Sequence, residues 1–188
     1  MPHLRAPMTR ILRGLLALAT PLLLLAGAAR ADVYCECTAA SSPCGNHAPS
    51  ALPAGCTNST GQRAFLGPIG SLSVGTDDLV LSSFNLPAGT PTLLLMGGGA
   101  KRMPLGDGVM CVSAGGKGLF HFPLELAGPT GAVAAGPGLA KLSHASFAGP
   151  GWIHAGDTWH FQRWYRDPAG PCGSGFNLTN GLALTFVP

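Results

Sequence analysis

Apolar residues in this chain come in short runs, each closed by glycine, proline, asparagine or aspartate. Such runs predict β-strands bounded by turns. They fall at Gln62 to Leu66, Ser71 to Val74, Asp78 to Phe84, Pro91 to Met96, Val109 to Val112, Gly118 to Leu126, Thr158 to Arg166 and Leu182 to Val187. Helical periodicity is missing. Glycine or proline interrupts nearly every ten-residue window, which penalises long helices. About eight short strands with frequent turns predict an all-β fold, an antiparallel β-sandwich or jelly roll.

The run Thr158 to Arg166 carries the most information. Alternation sends Trp159, Phe161, Arg163 and Tyr165 to one face, and His160, Gln162 and Trp164 to the other. Aromatics on both faces suit an interior strand flanked by others. Asp167-Pro168 should end it, since proline removes a ladder donor. Arg163, Arg166 and Asp167 suggest an ion pair anchoring that strand end. Residues 127–151 are rich in Gly, Ala and Pro and read as a surface excursion, with one short strand around Ala140 to His144. Phe176 to Gly181 reads as a turn with an Asn-Gly signal.

The N-terminus follows a different pattern. Arg5, Arg10 and Arg13, with no acid among them, precede an apolar stretch from Gly14 to Ala28, and Ala29-Arg30-Ala31 is a small-x-small cleavage site. That stretch is about 15 residues long, short of the roughly 20 needed to span a bilayer. Residues 1–31 are therefore expected to be a cleaved signal peptide, with Asp32 the first mature residue. Residues 32–61 form a Cys-, Pro- and Gly-rich loop region, and 62–188 the sandwich domain. No second long apolar run occurs, so no membrane span is expected after cleavage.

Charge changes with that cut. The formal net charge of +3 includes Arg5, Arg10, Arg13 and Arg30. Without them 7 Lys and Arg face 8 Asp and Glu, a balance near −1. No basic patch remains to argue for nucleic acid as a partner. A surface polysaccharide or a protein is the expected partner class.

All six cysteines lie beyond the cleavage site: Cys35, Cys37, Cys44, Cys56, Cys111 and Cys172. An even number in an exported chain reads as a disulfide framework. Clustering of the first four favours local bridges there and leaves Cys111 to pair with Cys172, a link worth about 4 kcal/mol. Zinc held by the cluster and His47 is disfavoured, because the spacings do not give two Cys-x-x-Cys arms.

Candidate chemistry is thin. Asp77, Asp78 and Asp107 sit at turns, and Gly106-Asp107-Gly108 has the shape of an oxygen-ligand calcium turn. Calcium is thus the one cofactor suggested, against the plainer reading that Asp beside Gly makes turns. His121, His144, His154 and His160 lack ligand partners at strand or helix spacing. Ser174 lies between glycines without a nucleophile elbow. Only Glu36 and Glu125 supply glutamates, which gives poor support for glycoside hydrolysis. Trp152, Trp164 and Tyr165 could stack on sugars, or fill the core. Asn58-Ser59-Thr60 and Asn177-Leu178-Thr179 match the glycosylation acceptor pattern.

The order of short motifs resembles a family of secreted, Cys-rich bacterial proteins of unknown function. The matching elements are Pro43-Cys44-Gly45-Asn46, Gly55-Cys56-Thr57-Asn58-Ser59, Asp77 to Leu81 with Leu86-Pro87, Gly106 to Cys111, Gln162 to Asp167, and Phe176 to Asn180. One departure stands out. That family often reads Cys-Pro-Cys-Gly-Asn, but here Ser42 takes the first position and Cys37 lies earlier, which leaves the local pairing open. The resemblance implies export and a β architecture, and it carries over no catalytic residue. The expected role is a non-enzymatic structural or adhesive β-domain. The alternatives are a carbohydrate-binding module and a hydrolase with a cryptic site.

Overall fold

A computed structural model describes residues 28–188. The proposed n-region and most of the apolar run lie outside the described residues. Twelve strands and one α-helix follow in the order β1 (Arg30–Tyr34), β2 (Phe65–Ile69), β3 (Val80–Phe84), β4 (Pro91–Gly97), β5 (Gly99–Leu105), β6 (Gly108–Ser113), β7 (Leu119–His121), β8 (Glu125–Leu126), β9 (Val133–Ala135), α1 (Leu139–Ser146), β10 (Thr158–Arg166), β11 (Phe176–Leu178) and β12 (Gly181–Thr185).

β10 is the axis of the molecule. It begins and ends where its sequence predicts, and its neighbours explain its two aromatic faces. The main sheet runs β1-β12-β10-β4-β7, with β11 also on β10 and β8 also on β4. On one face, Trp159 and Phe161 join Leu94, Met96, Leu182 and Leu184 against Leu66, Leu81 and Ala135 of a second sheet, β2-β3-β9. On the other face, Trp164 and Leu95 meet Met110 and Val112 of the β5–β6 hairpin and Leu178 of β11. The architecture is an antiparallel β-sandwich whose main sheet is covered on both sides. Burying one large apolar side chain in such a core contributes about 2 kcal/mol.

Edges explain two unlikely prolines. Among the described residues, Pro68 lies in β2, which pairs only with β3, and Pro104 in β5, which pairs only with β6. An outer strand tolerates a missing N–H. β5 is exposed from Ala100 to Leu105 and carries Lys101 and Arg102, which discourage pairing with another chain.

Several expectations need correction. Twelve strands replace about eight, because β1, β5, β9 and β11 lack a clear alternation. Ser71 to Val74 contributes only an isolated bridge, Ser73 to Val187. Gly118 to Leu126 breaks at Pro123 into β7 and β8. Ala140 to His144 is helical, not extended: Leu139, Ala140 and Ser143 form its buried stripe. Its first turn is capped from 63 residues away, where Asp77 accepts the Ala140 and Lys141 N–H groups at 2.9 and 3.0 Å. No local window reveals that cap.

The leader is tied to distant parts of the chain more than to itself. Cys35 pairs with Cys111, Cys37 with Cys56, and Cys44 with Cys172. The Cys111–Cys172 pairing is therefore wrong. Its premise was chain distance, whereas β1 delivers Cys35 beside β6, and the turn after β10 brings Cys172 to Cys44. All six cysteines are bridged, so none is a zinc ligand or a nucleophile. Such bridges persist in oxidising compartments. Arg63 fastens the irregular segment between them, donating to the carbonyls of Cys37, Ala48, Ala54 and Gly55.

The expected cleavage point falls inside β1. Arg30 and Ala31 pair with Thr185 and Leu184 of β12, while Asp32, Val33 and Tyr34 continue the same ladder.

Candidate functional site

The most open chemistry gathers beside α1. Asp77 starts the helix, and Ser143 ties its underside to the following loop by accepting the Ile153 N–H at 3.0 Å. That loop makes a 3-10 turn at Gly149–Gly151 and then presents Trp152. The indole Nε1 donates to the Phe147 carbonyl at 3.0 Å. Its ring stacks on His144 with centroids 4.8 Å apart and planes 30° from parallel. His154 lies 5.3 Å from His144 and 6.2 Å from Trp152.

Donor and acceptor follow from geometry. His144 Nε2 is 3.2 Å from the Ile153 carbonyl, which can only accept. Nε2 is therefore the donor of that hydrogen bond.

Two shallow depressions flank the cluster. One, about 340 Å³, is lined by Val74, Asp77, Lys141, His144 and His154. The other, about 270 Å³, is lined by Lys117, Pro150, Trp152, His154, Asp157 and Trp159. Across the second, Lys117 meets Asp157 at 2.8 Å and lies 4.7 Å above the Trp159 ring. Burial alone would push the Asp157 carboxyl up, but hydrogen bonds from Lys117 and the His154 N–H hold it below the usual carboxylate range.

The sugar-stacking candidates do not assemble. Trp152 is 38% exposed, while Tyr165 is fully buried. Trp164 is half-buried, 5.8 Å from Phe176. There is no exposed row of Trp164 and Tyr165, because the layers on either side of the main sheet cover both faces of β10.

The calcium candidates do not assemble either. Asp77 is taken up capping α1. Asp78 accepts the Ser71 N–H and hydroxyl at 2.9 and 2.7 Å, and those bonds lower its pKa. Asp107 belongs to the two-residue turn of the β5–β6 hairpin, where Gly106 takes φ +61°. It shares no hydrogen-bond partner with the other two. Among the described residues, no three His, Cys, Asp or Glu side chains are placed to hold a metal ion.

Most residues in the short motifs are buried structural groups. Gln162 donates to the Val109 and Thr179 carbonyls at 2.7 Å each and accepts the Cys111 N–H at 2.9 Å. Asn180 both accepts from and donates to the Leu66 backbone. Asn46 donates to the carbonyls of Thr57 and Asp107. Asp107 accepts the N–H groups of Cys172 and Ser174, and the Ser174 hydroxyl. Asp167 accepts the Ser59 N–H at 3.0 Å. Asn58 and Asn177 match the glycosylation pattern, but both are buried with their amides donating to Asn85 and Thr57 carbonyls. Neither amide is open to a glycan in this fold.

One buried cation and two phenols complete the inventory. Arg163 pairs with Glu125 at 2.7 Å and donates to Ser83 and Thr92, rather than pairing with Asp167. Burial lowers its pKa, and Glu125 opposes that shift. Tyr165 is pushed up, chiefly by burial and further by the charges of Asp167 and Asp107. Tyr34 donates to the Cys111 carbonyl at 2.8 Å and meets His160 Nδ1 at 3.0 Å. Burial lowers the His160 pKa and raises that of Tyr34.

The chain matches no family model, no curated protein and no solved structure. The His144–Trp152–His154 cluster was missed from the sequence. Its one local signal is Trp152-Ile153-His154, which places Trp and His on the same side of an extended segment while Ile153 turns into the core.

Proposed function

We propose that this chain is an exported, non-enzymatic β-domain, structural or adhesive in role, whose contact surface is the face around Trp152. One observation carries the reading. An exposed indole, held by its own Nε1 bond and stacked on His144, stands between two open depressions. A rigid aromatic with few rotamers to freeze is a favourable contact residue.

The acids nearest the imidazoles favour binding over catalysis. Asp77 and Asp157 already accept backbone N–H groups, so neither is poised to orient a histidine as a general base. The three disulfides and the Arg-rich, apolar N-terminal stretch support export.

A carbohydrate ligand is the second reading. It is favoured by the Lys117–Asp157 pair, which offers a donor and an acceptor beside the Trp152 ring. The test uses oxidised chain lacking residues 1–31, probed against cell-surface fractions and a glycan array. Binding should fall about tenfold or more in Trp152→Ala, with the unfolding midpoint changed little. Equal binding by that variant would sink the assignment of this face. A specific glycan hit lost in the variant would move the conclusion to the carbohydrate reading.

A further inference from the structure

The interior opposite in character to the Trp152 face holds an imbalance of charge. Asp107 and Asp167 are both fully buried. Gly170 separates them: a Cβ there would overlap Asp107 Oδ2 and lie 2.9 Å from Asp167 Oδ2. The two carboxylates are thus neighbours. Among the described residues the ion pairs are Arg30–Asp32, Lys117–Asp157 and Arg163–Glu125, so neither buried acid has a cationic partner.

Oxygen atoms around them are also left over. Asp167 Oδ1 is buried with no hydrogen-bond partner, as are Asn46 Oδ1 and Thr57 Oγ1. These residues belong to one connected region. Asn46 donates to the carbonyls of both Asp107 and Thr57, and Ser59, two residues beyond Thr57, donates to Asp167. The Cys44–Cys172 bridge closes over it, with the Cys172 N–H on Asp107. Four loops meet there, from residues 44–46, 57–59, 106–108 and 167–174. Buried acceptors without donors normally find a water or an ion. Two adjacent buried anions select the ion, because water brings no charge to offset theirs.

We propose that this interior is a binding site for a hard divalent cation of the calcium class. Asp107 and Asp167 are its charged ligands, with the Asn46 amide oxygen and the Thr57 hydroxyl as neutral ones. Calcium accepts an irregular set of carboxylate, amide and hydroxyl oxygens supplied by loops, whereas magnesium demands a regular octahedron. Only two of the ligands are of the Asp/Glu kind, so no motif of regularly spaced acids marks the site in the sequence. Of the three aspartates that suggested calcium, Asp107 belongs to it and Asp77 and Asp78 do not. The role is structural: the ion ties the Cys-rich leader to the β5–β6 turn and the loop after β10.

Oxidised chain lacking residues 1–31 is stripped with chelator and dialysed against metal-free buffer. Calcium chloride is then added back while metal content and the thermal midpoint are followed. A single tightly held equivalent and a midpoint that rises with calcium, but less with magnesium, are expected. Terbium should replace calcium and luminesce on excitation of Tyr165, whose hydroxyl is 3.5 Å from the Asn58 amide. Asp167→Asn should weaken calcium binding by about tenfold or more, while Asp78→Asn leaves it unchanged. If Asp167→Asn does not fold, add-back to the unsubstituted chain decides alone. No bound calcium and an identical midpoint with chelator and with calcium would overturn the proposal. Under that result Asp167→Asn should be as stable as the parent chain or more so.

Discussion

The face around Trp152 and the interior around Gln162 use the same vocabulary of aspartate, histidine and aromatic side chains, to opposite ends. In the interior, Gln162 and Asn180 spend their amides on backbone groups. At the Trp152 face, His144, Lys117 and His154 stay near solvent. Side chains of one type become framework where loops crowd donors around them, and contact surface where α1 and the 3-10 turn hold them out. The presence of a chemistry-bearing residue therefore says less than the number of backbone groups that reach it.

That contrast can be broken at the framework first. Replacing Cys44 and Cys172 together by serine should lower stability by about 4 kcal/mol in urea unfolding, because the bridge spans 128 residues. A loss below about 1 kcal/mol would mean that the loops hold without it. Gln162→Leu should cost about 3 kcal/mol, since it leaves two carbonyls and one N–H buried and unpaired. A neutral result would show that water enters between β10 and β6. Asp77→Ala should cost about 1 kcal/mol, the worth of one helix cap. Its amide exchange should quicken in α1 alone. Loss of order in β4 or β10 as well would join the two regions that the structure keeps apart.

The sandwich was legible because β10, β4 and β12 carry their burial in their own alternation, and because Asp167-Pro168 ends β10 where it should. α1 was not, since its cap comes from Asp77 and its stripe is only Leu139, Ala140 and Ser143. β5 was not, since a strand exposed along its length has no apolar period to read. The ligand candidates split for a related reason. Trp164 and Tyr165 read as exposed or buried with equal ease until the covering layers are known. Trp152 depended on the turn before it. The cysteine count gave a disulfide framework correctly, but connectivity is a property of space, and spacing along the chain pointed the wrong way.

The bridges also set an order of events. Synthesis delivers Cys35, Cys37, Cys44 and Cys56 well before Cys111 and Cys172. While those four wait, Cys37 with Cys56 is the only native pair among them, and every other pairing is a mistake to be undone. Thiolate attack on a wrong bridge is the route back. A chain wired this way reaches its final form only after its last cysteine emerges, and its maturation is then paced by the exchange of wrong bridges for right ones.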